Sequence, residues 1–304
     1  MDMDQIRTFV AIARTRNFSR AAETLHRSQP AISRRIELLT QELGVPLFER
    51  AGGQITLSEA GAALLPHAET ILAAARDGLE AVETLHRGDS GRLALAIVGT
   101  LANANFTAML RRFKKEHSGV HLELQTATSQ EVGEIVWRGD AAIGLRYLPD
   151  PGRDLISEII TWEELVVVCS RDHRLVGRRV VKPQQLAGER WVAFRGRGKE
   201  SFVEFLNRRL AAAGIDQPEV TVIDSLTAQK RLAEANYGLA LLAKSGIEEE
   251  IRTGSLNRLN VPALRARIPV TVVYRKNGYL SGAARSFLSA VLKPRRSISP
   301  VRKT

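Results

Sequence analysis

The sequence predicts a multi-domain α/β protein with an N-terminal winged helix-turn-helix, a long helix after it and a larger α/β part behind. Three observations support this fold class. Residues up to Ser58 contain short helical patterns broken by turn signals, and Glu59 to Gly88 form one long helical pattern rich in Ala and Leu. From Arg92 onward, short apolar strand patterns alternate with helical ones, which is typical of βαβ units and a parallel sheet.

These patterns also set the predicted domain boundaries. The winged helix-turn-helix takes residues 1–58, and the long helix with its hinge takes 59–90. The α/β part takes 91–292, after a segment of linker composition at residues 87–91. A basic tail, 293–304, ends the chain, and its prolines and serines are typical of a disordered end.

Composition excludes several classes of protein. The chain has 304 residues, 44% of them hydrophobic, which is ordinary for packed globular domains. It contains no run of the roughly 18 apolar residues that a membrane-spanning helix needs, and it starts without the pattern of a secretory signal. Cys169 is the single cysteine, so an intrachain disulfide is excluded. We therefore expect a soluble, cytoplasmic protein without a membrane partner.

The net charge of +11 is unevenly distributed. Residues 1–90 carry a net charge of −2, residues 91–292 carry +8, and the last twelve residues carry +5. If the first domain binds nucleic acid, the local placement of its arginines must therefore supply the attraction, because its bulk charge does not.

The first domain has the order of elements of a winged helix-turn-helix. A helical face near the N-terminus precedes a second short helix, for which Ser19 is the predicted N-cap. Ser28 precedes a third helix with Pro30 in its first turn, where a missing N–H costs little. Two strand patterns, 47–50 and 54–57, then flank a glycine-containing turn and predict a small β-hairpin.

The third helix has an apolar face and a polar face. Ile32 and Ile36 continue inward at helical spacing, whereas Gln29, Ser33 and Arg34 lie on the opposite face. A helix of this kind fits the major groove, where Gln and Arg pair with adenine and guanine edges. Three packed helices with a polar surface and no nucleic-acid partner remain the alternative at this point.

Residues from Phe9 to Gly61 make the assignment more specific, because they resemble the DNA-binding domain of LysR-type transcriptional regulators. The matching stretches are residues 9–13 (FVAIA), 18–22 (FSRAA), 25–33 (LHRSQPAIS), 36–37 (IE), 43–50 (LGVPLFER) and 57–61 (LSEAG). The resemblance implies a winged helix-turn-helix, a linker helix and a C-terminal effector-binding domain, and so covers almost the whole chain.

The resemblance also implies site residues. The positions that contact DNA in the family correspond to Ser28, Gln29, Pro30, Ser33, Arg34 and, in the wing, Arg50. Family wings usually carry a further basic residue near the tip, which Gly52 and Gly53 do not supply. The wing contacts in this chain are therefore expected to be weaker or to be made through glycine amides.

The long helix contains a heptad seam of small and apolar residues, which is typical of a helix that pairs with another helix. The proposed dimerisation residues are Leu65, Ala68, Leu72, Ala75, Leu79 and Val82. An amphipathic helix packed against its own domain would give a similar pattern. The resemblance implies pairing through this helix into a homodimer or homotetramer on double-stranded DNA, and it leaves a contact with RNA polymerase open.

The resemblance implies two lobes in the C-terminal part, like those of periplasmic binding proteins, with an effector cleft between them. Lobe I is expected at about 92–160 and 267–292, and lobe II at about 162–265. In such folds ligands bind beyond the carboxyl ends of strands, and polar residues follow several predicted strands here. The candidate effector residues are Thr100, Thr128, Ser129, Arg146, Arg195 and Ser225.

Alternatives exist for each of these candidates. Helix capping explains the hydroxyl residues equally well, and surface charge explains Arg195 and its neighbour Arg197. Thr100 is the first choice, because the resemblance places its position in the effector pocket. If Arg146 or Arg195 faces the cleft, bidentate hydrogen bonding favours a carboxylate or phosphate effector.

No enzyme motif emerges from the sequence. The glycines around 196–198 lack the spacing of a phosphate-binding loop, and the six histidines lack metal-ligand spacing, so we expect no catalytic residues, metal or cofactor. The function predicted is a DNA-binding regulator that recognises a dyad-symmetric operator and responds to a small effector. A cytoplasmic solute-binding module without DNA binding is the alternative, and the helix-turn-helix argues against it.

Overall fold

A computed structural model describes residues 1–52, 54–87, 91–150, 154–195 and 202–292. Among these residues, no helix is long and apolar enough to cross a membrane. The chain forms two compact units: Met1–Leu85 with Arg138–Asp140, and His86–Trp137 with the chain from Ala141 onward. Each unit has its own hydrophobic core.

The N-terminal unit contains four helices and a two-stranded sheet. Its elements are α1 (Met3–Thr15), α2 (Phe18–Thr24), α3 (Gln29–Leu43), β1 (Phe48–Ala51), β2 (Gln54–Leu57) and α4 (Glu59–Arg87). The two strands pair antiparallel, with Phe48 opposite Leu57, and form the predicted hairpin. The three helices followed by a wing and a long helix confirm the predicted winged helix-turn-helix and linker helix.

Small residues allow the first three helices to pack closely. Ala21 and Ala22 of α2 are buried beside Phe9 of α1 and Ile32 of α3, so the helices cross without bulky side chains between them. The wing joins this core through Phe48, whose ring centroid lies 5.4 Å from that of Phe9.

The cap of α2 differs from the prediction. The side chain of Asn17, not that of Ser19, accepts a hydrogen bond from the backbone N–H of Arg20 at 3.0 Å. Both residue types cap helices well, so the pattern alone does not distinguish two candidates two positions apart. The helix therefore begins at Phe18, one residue before the predicted cap.

The C-terminal unit consists of strands and helices in two lobes. Its strands are β3 (Arg92–Val98), β4 (His121–Ala127), β5 (Ile143–Tyr147), β6 (Leu155–Ser170), β7 (Trp191–Phe194), β8 (Val220–Ile223), β9 (Ala240–Ala243), β10 (Leu256–Leu259) and β11 (Ala266–Arg275). Its helices are α5 (Ala104–Glu116), α6 (Ser129–Trp137), α7 (Phe202–Ala212), α8 (Leu226–Glu234), α9 (Glu248–Thr253) and α10 (Gly282–Leu292).

The sheet is mixed, not wholly parallel. Strand β3 pairs in parallel with β4 and β5, and β7 pairs in parallel with β8. Strands β6 and β11, however, are antiparallel to each other over their length. The reason is topological: β6 carries the chain out of lobe I into lobe II and β11 brings it back, so the two run in opposite directions. Strand β11 is also antiparallel to β5, and β9 and β10 are antiparallel to β6, so the predicted parallel pairing holds only for β3 with β4 and β5 and for β7 with β8.

Each lobe has a separate core. Ile97, Ile143 and Phe287 belong to the core of lobe I, whereas Trp191 and Leu241 belong to that of lobe II. Because β6 and β11 link the two cores, the carboxyl ends of β3, β5 and β9 are brought to the region between the lobes.

Candidate DNA-binding face and effector cleft

Helix α3 separates its apolar and polar residues as predicted. Ile32 and Leu39 are fully buried, whereas Gln29 and Arg34 are exposed and Ser33 is half-buried on the opposite side. Gln29 Nε2 donates to Ser33 Oγ at 3.3 Å, which links two polar groups of the outer face. The helix therefore presents a row of hydrogen-bonding side chains to solvent.

The start of α3 leaves its polar groups available. Ser28 occupies the N-cap position, but its side chain makes no capping hydrogen bond, and Pro30 lies in the first turn. The end of the helix is fixed by Gly44, which adopts a left-handed conformation with φ of 74°. An exposed helix N-terminus with an uncommitted hydroxyl is suited to phosphate oxygens or base edges.

The charge at the start of α3 is locally positive although residues 1–90 together carry a net charge of −2. Residues 25–36 include Arg27, Arg34 and Arg35 and contain no Asp or Glu. Arg34 makes only an exposed ion pair with Glu37, at 3.4 Å, and such pairs are weak and easily exchanged. Arg35, in contrast, donates to Asp4 at 2.9 Å and ties α3 to α1. Arg27 and Arg34 are thus the exposed arginines of this stretch, and Arg34 is the one that lies on α3.

The wing places Arg50 in solvent. Arg50 lies opposite Ile55 in the β1–β2 ladder and is exposed. Gly52 at the turn has φ of 58°, a left-handed conformation that glycine adopts without strain. Gly53 lies outside the described residues. The wing thus offers one basic side chain near a glycine-containing turn.

In the C-terminal unit, Tyr147 brings two of the predicted effector residues together. Thr100 lies in a 3-10 turn, Gly99–Leu101, directly after β3, and its hydroxyl lies 2.9 Å from the hydroxyl of Tyr147. The backbone N–H of Tyr147 donates to Ser129 Oγ at 3.2 Å. Burial is the main reason that the pKa of the Tyr147 hydroxyl is raised, and the negative charge of Glu163 raises it further. The hydrogen bond to Thr100 lowers this pKa but does not offset the rise. Tyr147 therefore stays a neutral hydrogen-bonding group.

Thr128 and Ser225 act as helix caps. The hydroxyl of Thr128 bonds to the Glu131 carboxylate at 2.8 Å, in a reciprocal arrangement at the start of α6. Ser225 Oγ accepts from the backbone N–H of Ala228 at 3.2 Å and caps α8. The capping alternative thus accounts for both hydroxyls.

Arg146 is engaged inside lobe I, which removes the basis for treating it as an effector clamp. Its side chain is 9% exposed and forms an ion pair with Asp150, whose side chain is 8% exposed. Gly133 leaves the room for this pair, since a Cβ there would lie 2.2 Å from Asp150 Oδ2. Arg146 is therefore a buried structural residue, and its charge is already balanced.

Arg195 is exposed at the end of β7. Its backbone N–H donates to the carbonyl of Ile223 at 2.6 Å, which extends the β7–β8 pairing. The predicted glycine-rich loop that follows, including Arg197, lies outside the described residues. Nothing in the described part of lobe II directs the Arg195 side chain to Thr100.

Comparison with known proteins decides the family. Residues 3–62 match the model of the bacterial regulatory helix-turn-helix protein of the lysR family, and residues 86–294 match that of the LysR substrate binding domain. The chain belongs to the LysR family. It is a LysR-type transcriptional regulator with a DNA-binding helix-turn-helix and an effector-binding domain.

Relatives support the same assignment over the full length. The RuBisCO operon transcriptional regulator of Allochromatium vinosum is 30% identical over 293 residues, which cover 96% of each chain. The regulator CfxR of Cupriavidus necator is 29% identical and covers 96% of this chain and 92% of its own.

Solved structures of LysR proteins share the fold. CbnR matches with a TM-score of 0.69 at 24% identity, over 98% of this chain and all of its own. Full-length CbnR complexed with its target DNA matches with a TM-score of 0.67 at 25% identity, over 97% of this chain and all of its own. These similarities confirm the predicted architecture.

The seam residues of the LysR linker helix, α4, are buried or half-buried in the first half of the helix and exposed further along it. Its first half packs on its own unit: Ala68 is 1% exposed in the N-terminal core, with Leu65 and Leu72 against it. Further along, Leu79 is 61% exposed and Val82 is 56% exposed. Packing against the helix's own domain thus accounts for the first half. In the second half of the helix, Ala75 is half-buried, and Leu79 and Val82 are the exposed members of the predicted seam.

Sequence reasoning missed four polar residues of the effector-binding domain: Asn103, Tyr147, Glu163 and Ser245. Asn103 Nδ2 donates to Ser245 Oγ at 3.1 Å, and the same hydroxyl donates to Glu163 at 2.9 Å. A signal for Ser245 was present, because it follows a predicted strand just as Thr100 does. Glu163 lies inside β6, ahead of the apolar run at residues 165–169 that predicts a strand, so a rule based on strand ends does not find it.

The described residues contain no cluster of three or more metal-ligating side chains. Cys169 is buried in β6, and burial, followed by the charge of Glu189, raises the pKa of its thiol to about 12. A thiol with so high a pKa is a poor nucleophile at neutral pH.

Proposed function

We propose that the chain binds a dyad-symmetric operator in double-stranded DNA through the exposed face of α3. The observation that carries this proposal is the exposed polar face at the start of α3, in a stretch (25–36) without Asp or Glu, on a helix whose opposite face is buried. Ser28, Gln29, Pro30 and Ser33 are the proposed neighbours of Arg34 in the groove, and Arg50 is the proposed phosphate contact of the wing.

A dyad-symmetric site is the kind of site that a two-fold oligomer of this chain would recognise. Two copies joined by a two-fold axis present two α3 helices, which match two half-sites of a palindrome. Leu79 and Val82, exposed on α4, are apolar groups that a second copy would cover. We propose a homodimer as the smallest DNA-binding form, with a homotetramer built from it, acting in the cytoplasm where the DNA is.

We propose that a small effector binds between the lobes at Thr100, Ser129 and Tyr147. Hydroxyl groups at the carboxyl ends of neighbouring strands are suited to hydrogen bonds with a small polar ligand. Arg146 gives no reason to expect a negatively charged ligand, because Asp150 already balances the charge of its guanidinium. The Glu163 carboxylate already holds both donors of Ser245 and repels a second carboxylate, so these cleft residues do not support the anionic effector that the sequence suggested.

We propose a regulator without catalytic activity of its own and without thiol-based sensing. Three OxyR structures that share the fold carry a cysteine substitution in their names, and one of the three is H2O2-bound. This chain has one cysteine, and its buried, protonated thiol does not support the same chemistry. The chemistry of the cleft groups supports reversible binding.

DNA binding is tested with labelled genomic fragments from upstream of the gene and its neighbours. RuBisCO promoters are included, because several relatives are named for RuBisCO regulation. The full-length protein should shift a fragment with a dyad, and its affinity should fall steeply with salt, since phosphate contacts release counterions. No shift of any fragment in dilute buffer would contradict the proposal.

A further inference from the structure

Ser245 is held from two sides by residues of different parts of the effector-binding domain. It lies in a 3-10 turn, Lys244–Ile247, directly after β9 in lobe II. Its backbone N–H donates to Glu163 Oε1 at 3.1 Å and its hydroxyl donates to Glu163 Oε2 at 2.9 Å. The same hydroxyl accepts from Asn103 Nδ2 at 3.1 Å. Asn103 belongs to lobe I, so its bond to Ser245 crosses between the lobes, whereas Glu163 lies on β6 at the start of lobe II and holds Ser245 from within that lobe.

Asn103 is fixed in the orientation that reaches Ser245. Its Oδ1 caps α5 by accepting from the N–H groups of Asn105 and Phe106, at 3.0 Å and 3.2 Å. The amide nitrogen therefore points away from the helix, toward Ser245. Because the cap fixes the amide, little side-chain freedom is lost when this donor bonds across the cleft.

The turn that carries Ser245 is also held by Lys230 of α8. Lys230 Nζ donates to the carbonyl of Gly246 at 3.3 Å and to Glu250 Oε1 at 2.5 Å. Gly246 lies directly against lobe I, since a Cβ on it would be 3.6 Å from Thr100 Cβ. The turn therefore covers Thr100, and with it the Thr100–Tyr147 pair.

We propose that Asn103, Ser245 and Glu163 form an interlobe latch, which keeps the cleft closed over Thr100 in the effector-free protein. The inference rests on the proposed function, because it assigns a control element to the proposed effector cleft. An effector that reaches Thr100 has to break the latch or take over its donors. The latch thereby sets how much effector is needed to move the lobes.

The test measures the distance between the lobes in the effector-free, DNA-free, full-length protein. Spin labels are attached to Lys115→Cys on α5 and Arg208→Cys on α7, both exposed positions. Cys169 does not compete for the label, because it is buried and its thiol pKa is raised. The labelled protein is mixed with an excess of unlabelled protein, so that an oligomer rarely contains two labelled protomers. The recorded distances are then those between two labels on the same chain.

The wild-type latch should give one narrow distance distribution. Glu163→Ala removes both acceptors that orient Ser245 toward Asn103, and a longer-distance population should grow by about two- to tenfold relative to the short one, since the hydrogen bond between the lobes is weakened. Asn103→Asp keeps the helix cap but replaces the donor by a second carboxylate beside Glu163, and it should also favour the longer distance.

Glu164→Ala is the matched control. Glu164 neighbours Glu163 on β6 but pairs with exposed Lys244 at 3.2 Å, so its removal should leave the distances unchanged. If Glu163→Ala and Asn103→Asp both fold, as thermal unfolding shows, and neither changes the distances, the latch is refuted. The proposed function fails separately, by loss of DNA binding in the wild-type protein.

Discussion

In α3, Gln29 and Arg34 stand in solvent, and Ser28 makes no capping hydrogen bond. In the effector-binding domain, by contrast, Thr100 is bonded to Tyr147 and Ser245 to Glu163. The polar groups of α3 are thus exposed and make only local contacts on their own helix, such as Gln29–Ser33 and Arg34–Glu37, whereas those of the cleft are bonded to other elements. On the proposed function, DNA would meet side chains already at the surface, and an effector would have to replace bonds that the chain already makes.

The largest expected effect concerns Arg146. Its burial with Asp150 indicates that it stabilises the effector-binding domain and does not contact the effector. Arg146→Ala leaves Asp150 buried without its ion-pair partner and should lower the free energy of unfolding of the effector-binding domain by about 3–5 kcal/mol. Urea denaturation of the full-length protein measures this loss. The double variant Arg146→Met, Asp150→Leu should recover most of it, because it removes both charges. Unchanged stability in Arg146→Ala would return the residue to the candidate effector contacts.

A smaller effect tests the scaffold that holds the DNA-binding face in place. Gly61 is buried at the start of α4, where a Cβ would lie 2.1 Å from the backbone oxygen of Leu47. Gly61→Ala should therefore destabilise the N-terminal unit by about 1–3 kcal/mol, since backbone has to move.

Gly78 of the same helix provides the control, because a Cβ there meets nothing within 4 Å. Gly78→Ala should stabilise the helix by about 0.5–1 kcal/mol. Thermal unfolding of both variants gives the contrast, and equal stabilities would show that the wing and α4 are not packed as described.

The polar face of α3 can be predicted from the sequence, whereas the contacts between the lobes cannot, and the reason is physical. The DNA-binding face lies on one helix, so a period of 3.6 residues sorts Ile32 and Leu39 from Gln29 and Arg34 without knowledge of the fold. Asn103 and Ser245, in contrast, are 142 residues apart in the chain. Only the tertiary structure brings them together, and no local pattern encodes that contact.

Arg146 and Tyr147 show a second limit. Both lie at the end of β5, where ligand contacts are expected, and the sequence predicts only Arg146 as a contact. Successive residues of a strand point to opposite faces, so only one of the two can reach Thr100. The structure selects Tyr147, and the burial of Arg146 with Asp150 explains why its charge lies inside lobe I.

The smallest effect concerns Thr100. Thr100→Val keeps the side-chain shape but removes the hydroxyl that bonds to Tyr147, and it should raise the effector concentration for half-maximal response by about three- to tenfold, the value of one hydrogen bond. Transcription from a target promoter, measured against effector concentration, gives this number. Thr221→Val, exposed on β8, is the control. An identical dose response for Thr100→Val and wild type would remove Thr100 from the effector site.

The DNA affinity of Arg34→Ala tests the central claim most directly. Arg112→Ala is the matched control, because Arg112 is also an exposed helical arginine in a local ion pair, with Glu116 at 2.8 Å. Fluorescence anisotropy on one operator fragment at fixed salt should show a loss of about 1–3 kcal/mol for Arg34→Ala, near tenfold or more in Kd, and no change for Arg112→Ala. Equal affinities for both variants and the wild type would contradict the assignment of α3 as the helix that reads DNA.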